Sequence, residues 1–211
     1  MDKVSGVKFS DILKLEVDDA KKSKETRTGS VFEDINDAFE ENPDGISNDE
    51  FKQIFKDRFS LDDKKNDKLD ALTAYISSLD KNDKDVTLQD IGTYCFAISI
   101  IDAAEGTDYS TEGIDKIVSI INKNLKNGDV SITDFANQVK KVINTRMNRT
   151  LETRIRNVVN KKRDQKFTVE DLEKYAVSTL NQYANETERE LEKVDDEKKG
   201  IKPETTRRHR R

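Results

Sequence analysis

The chain has 211 residues, 33 % of them apolar and 38 % charged, with no tryptophan and a net charge of −5. That length allows one large domain or two small ones, and so low an apolar fraction points away from a single large core and towards small helical lobes. A lone cysteine, Cys95, excludes an internal disulfide or a thiolate zinc cage, a lone histidine, His209, excludes the common histidine-based metal and triad chemistries, and no apolar run approaches the roughly 20 residues that cross a bilayer.

The amino-terminal stretch "VKFSDILKLEVDDAKK" puts Phe9, Ile12, Leu13 and Val17 on one helical face behind a cap at Ser10. Residues 1–29 therefore read as a short amphipathic helix followed by the polar linker "SKETRTGS". Such a helix either docks in a groove of its own lobe or grips another molecule. The opening "MDKVSGVKFSD" lacks the apolar stretch of a secretory signal, so an intracellular location, cytoplasmic or otherwise, is expected.

Beyond the linker a hexamer recurs four times, as "ISNDEF" from Ile46, "VTLQDI" from Val86, "VSITDF" from Val130 and "FTVEDL" from Phe167. In each, Ser47, Thr87, Ser131 or Thr168 can cap a helix, and Glu50, Asp90, Asp134 or Asp171 three residues later can reach back to the cap and favour the helix dipole. Helical apolar spacing follows, as in Phe51, Ile54, Phe55 and Phe59, or Phe135, Val139, Val142 and Ile143, or Leu172, Tyr175, Ala176, Leu180 and Tyr183. A second amphipathic segment precedes each hexamer: Phe32, Ile35 and Phe39; Leu69, Leu72, Ile76 and Leu79; Ile114, Ile117, Ile120 and Ile121; Leu151, Ile155, Val158 and Val159. "AEGTDYSTEG", residues 104–113, separates the second unit from the third and marks a boundary. Cys95 falls in the apolar run "IGTYCFAISII", where a thiol behaves as a small hydrophobe.

Four helix-loop-helix units, each with a β-branched or aromatic residue late in the loop and an acid four positions on, resemble the EF-hand superfamily over about residues 30–185. The resemblance implies an all-α fold of two EF-hand-like lobes, 30–105 and 106–185, with about eight helices plus the amino-terminal one. Residues 186–211 follow as a charged, fraying helical extension and a basic tail. It also implies short antiparallel pairings of Ile46 with Val86 and of Val130 with Phe167.

Calcium loops of that family need oxygen ligands at loop positions one, three, five and twelve and a glycine at six. With Val130 at position eight, the third loop offers Lys123 and Leu125 at one and three; the fourth has Gln165 in place of glycine and Lys161, Lys162 and Arg163 nearby, so the second lobe reads as metal-free. The first two loops hold Glu40, Asn42, Asp44 and Glu50, and Asp80, Asn82, Asp85 and Asp90, but each is one residue short, which displaces the closing acid. The resemblance thus implies no cofactor, with calcium binding weak if present.

Charge is unevenly spread: residues 1–110 hold 15 Lys and Arg against 26 Asp and Glu, and the remainder 23 against 17. The sharpest feature runs from Lys140 to Arg163, where Lys140, Lys141, Arg146, Arg149, Arg154, Arg156, Lys161, Lys162 and Arg163 face the single acid Glu152. Part of it can form one positive surface for an acidic protein or a polyanion such as nucleic acid, or it meets the acidic first lobe or plain solvent. No phosphate loop or nucleophile elbow is present, and an enzyme is not expected. The expected function is that of a non-enzymatic protein-interaction module: a scaffold, adaptor or assembly component with a protein partner and no membrane. The alternatives are a weak calcium sensor or buffer working through the first lobe, and a structural component of a nucleoprotein or virion-like assembly held by the basic second lobe.

Overall fold

The structure, a computed structural model, describes residues 7–24, 27–59, 63–79, 85–103, 111–127, 130–143, 149–158 and 164–200. Within them the chain is all-α: α1 (Phe9–Lys22), α2 (Val31–Glu41), α3 (Asn48–Arg58), α4 (Asp63–Ser77), α5 (Leu88–Ala103), α6 (Thr111–Asn127), α7 (Ile132–Ile143), α8 (Arg149–Val158) and α9 (Val169–Lys198), with two-residue strands β1 (Ile46–Ser47) and β2 (Asp85–Val86). No described helix is long and apolar enough to cross a membrane.

All four Ser/Thr-led hexamers start helices. Ser47 Oγ accepts the Glu50 N–H at 3.2 Å, and Thr87 Oγ1 accepts the Asp90 N–H at 3.2 Å while Asp90 accepts the Thr87 N–H at 2.9 Å. Ser131 Oγ accepts the Asp134 N–H at 3.1 Å, and the Thr168 N–H is donated to Asp171 at 2.8 Å. Backbone donors that a helix start would leave orphaned are thereby satisfied within the hexamer itself. In β1 and β2, Ile46 lies opposite Val86 in an antiparallel pair. Ser131 bridges Lys166 in the same sense, and the Phe167 N–H is donated to the Val130 carbonyl at 3.3 Å.

Helix α5 is the hub. Every residue from Asp90 to Ile101 except Ser99 is buried, as suits a helix covered on all sides by α4, α6, α8 and α9. Phe96 stacks on Phe167 and Phe135, with ring centroids 5.2 and 5.8 Å away, so the third and fourth hexamers close over the helix that the second one starts. The closest approach is at Gly92: a Cβ there would lie 2.2 Å from the Leu172 carbonyl oxygen, so α5 and α9 cross where only hydrogen fits. The buried apolar side chains of both halves join in one connected cluster, although the composition had pointed away from a single large core.

Three sequence expectations need correction. Helix α1 starts at Phe9, not behind Ser10, because Asp11 reaches back to accept the Lys8 N–H at 3.1 Å. The segment "NETERELEKVDDEKK" does not fray: α9 continues to Lys198, with Thr187, Leu191 and Val194 buried and Lys198 Nζ donating to the Ala20 carbonyl of α1. Val142, expected on the apolar face of α7, is 41 % exposed. Residues 104–110 of the expected boundary lie outside the described residues.

Candidate functional site

Helix α1 packs its apolar face into the core, chiefly against α9. Phe9, Ile12, Leu13, Val17 and Ala20 are buried, and Phe9 meets the rings of Phe32 and Tyr183 at 5.3 and 5.8 Å. Its polar anchor is Glu16, wholly buried, whose Oε1 lies 2.5 Å from Arg58 Nε at the end of α3. Both Glu16 oxygens also accept the Val31 N–H, at 3.2 and 3.3 Å, so a carboxylate of α1 caps the first turn of α2. Burial raises the Glu16 carboxyl above its ordinary value, with Arg58 and the Val31 N–H pulling the other way. Arg58 in turn donates to the carbonyls of Thr28 and Gly29, and Gly29 holds a positive φ of 69°, which turns the linker into α2. Two further bonds pin the ends of the helix: Tyr94 donates to the Val7 carbonyl at 2.7 Å and Lys198 Nζ to the Ala20 carbonyl at 2.8 Å.

Beside the start of α1 a cleft of about 300 Å³ opens between α5 and α9. Its walls carry Ser10 of α1, Ser99 of α5, and Tyr175, Ser178, Thr179 and Gln182 of α9, with Tyr183 and Ile98 as apolar surface. Ser99 and Tyr175 share a hydrogen bond, and Lys8 pairs with Asp102 at 2.9 Å at the edge. Burial raises the Tyr175 hydroxyl and the Cys95 thiol, so both keep their protons near neutrality. These groups can donate and accept hydrogen bonds.

The expected metal ligands fall elsewhere. Glu40 lies in the last turn of α2, Asn42 ends that helix, and Asp44, Glu50 and Asp85 are exposed. Asp90 is 5 % exposed with its carboxylate turned back onto Thr87, while Asp80 and Asn82 lie outside the described residues. Among the described residues no three His, Cys, Asp or Glu side chains gather as a metal ion would need. In the third unit α6 runs on through Lys123 and Leu125 to Asn127, and Asn124 is buried against Ile120 and Gln138, so the early loop positions are helical.

Of the basic set, Lys140 and Lys141 are exposed on the last turn of α7, and Arg156 on α8 is half-buried beside Glu152 at 3.8 Å. The side chains of Arg149 and Arg154, together with Arg146, Lys161, Lys162 and Arg163, lie outside the described residues.

Sequence reasoning missed the Glu16–Arg58 pair and the cleft. The cleft's groups come from helices starting at residues 9, 88 and 169, and in α5 its hydroxyl sits inside the run read as apolar. Comparison with protein-family models, with curated proteins and with solved structures gave no match to this chain.

Proposed function

We propose that the chain is a non-enzymatic protein-interaction module, a scaffold, adaptor or assembly component, whose body recognises amphipathic helices. The observation that carries this reading is the seat of α1, in which apolar residues at helical spacing pack on α9 and meet the start of α2 at Phe32, and one carboxylate meets Arg58. That is the helix-in-groove mode of recognition, made within one chain. The capped helical hairpins, with Ile46 set against Val86, support the EF-hand resemblance as the frame for that groove. Exposed Lys140 and Lys141 beside exposed Val142 offer a second contact, suited to an acidic partner.

A fluorescent peptide of residues 7–24 tests the reading on the full chain. The tethered α1 competes at high effective concentration, so the parent binds the peptide weakly. A Glu16→Ala chain, whose own α1 is loosened, binds it at least about tenfold more tightly, because the peptide returns the carboxylate to Arg58. Failure of both chains to bind the peptide removes the groove as a docking site for helices in trans.

A further inference from the structure

We propose that the cleft between the start of α1, α5 and α9 binds a neutral, polyhydroxylated small molecule such as a sugar or polyol. Its volume of about 300 Å³ lies at the lower end of the range for small-ligand sites and suits a single ring. Its chemistry selects the class of ligand. Ser10, Ser99, Tyr175, Ser178 and Thr179, with Gln182, line one small space, and although Ser99 and Tyr175 already bond each other, hydroxyl and amide groups that both donate and accept match a ligand with the same dual character.

Net charge at the cleft is balanced, since the Lys8 ammonium at the edge is paired with Asp102 at 2.9 Å. That pair is exposed and its charges compensate each other, so a neutral ligand meets no unmatched charge at the cleft edge. Tyr183, packed by Phe9 at 5.8 Å and Phe32 at 5.2 Å, gives the cleft lining a fixed apolar side chain.

Because Ser10 belongs to α1 and the other polar groups to α5 and α9, a bound ligand bridges the seated helix to the body. Ligand binding therefore stabilises the seated state. The cleft and the groove are tested separately: binding here is read without any added helix, and its outcome leaves the peptide measurement untouched.

Full-length protein is mixed with D-glucose, N-acetyl-D-glucosamine and myo-inositol as neutral probes and with glucuronate and glucosamine as charged ones, and binding is read by saturation-transfer difference NMR. At least one neutral probe is expected to bind with a millimolar dissociation constant, and the charged analogues more weakly. The double variant Ser178→Leu and Gln182→Leu removes two polar lining groups at exposed helix positions and is expected to weaken binding by at least about tenfold. Amide shifts of the unmodified protein locate the site independently of that variant and are expected at Ser99 and Thr179. Absence of neutral-probe binding, equal or tighter binding of a charged probe, or shifts centred away from α5 and α9 would each overturn the proposal.

Discussion

Arg58 Nε lies 2.5 Å from Glu16 Oε1, a contact that joins the end of α3 to the middle of α1 across 42 residues of chain. The carboxylate is wholly buried and also caps α2, so it fixes three helices at one point. Removing the carboxylate leaves the part-buried Arg58 with only Asp34, 3.9 Å away, as a counter-charge. Glu16→Ala is therefore expected to destabilise the protein by about 3 kcal/mol in urea unfolding, whereas Glu16→Gln, which can still accept from Val31 and Arg58, is expected to cost about 1 kcal/mol or less. Equal losses for the two variants would show that the contact is packing alone.

The same residue gives a pH dependence of definite sign. Burial raises the Glu16 carboxyl, and Asp34 near Arg58 is raised in the same direction, chiefly by burial. A carboxyl raised in the folded state contributes stability that is fully present below its unfolded value and is lost as pH rises through the folded one. Measured against Glu16→Gln, the parent is expected to gain stability as pH falls from neutrality towards the ordinary glutamate value of about 4.3. A parent that loses ground to the glutamine variant over that range would mean that attraction to Arg58 outweighs desolvation.

Gly92 marks the α5–α9 crossing. A methyl group there meets the Leu172 carbonyl, a backbone atom that cannot turn aside. Gly92→Ala is expected to lower stability by about 3 kcal/mol, despite the better helix propensity of alanine, because the two helices must move apart. An unchanged urea midpoint would show that the crossing relaxes freely.

The four caps are alike in sequence but differ in burial. Asp90 is 5 % exposed, whereas Asp134 is exposed. Asp90→Ala leaves the Thr87 N–H without its partner in a part-buried setting and is expected to cost about 2 kcal/mol, against about 1 kcal/mol or less for Asp134→Ala. Thermal melts of the two variants compare them directly, and equal shifts would contradict the burial argument.

These contrasts show what the sequence carried. The caps were legible because each is complete within four residues, and the opposition of Ile46 and Val86 was expected only as an implication of the EF-hand resemblance. The length of α9 was written in Leu180, Ala184, Thr187, Leu191 and Val194, whose alternating spacing of four and three continues one apolar stripe, but the surrounding charges hid it. Glu16 had no local signal: it is one of 43 acidic residues, and what distinguishes it is a partner 42 positions away. The cleft was hidden for the same reason, since Ser10, Ser99 and Ser178 acquire meaning only when α1, α5 and α9 come together.

The proposed function requires that α1 can leave its seat without unfolding the body. Native-state hydrogen exchange of the full chain, read for amides of α1 against those of α5, tests it most directly. The expected result is that α1 exchanges as a unit through a lower-energy opening than α5, and that Glu16→Ala lowers protection in α1 well beyond any change in α5. Equal protection of α1 and α5 at the global unfolding limit, reduced in parallel by the substitution, would contradict the claim and make α1 an inseparable part of the core.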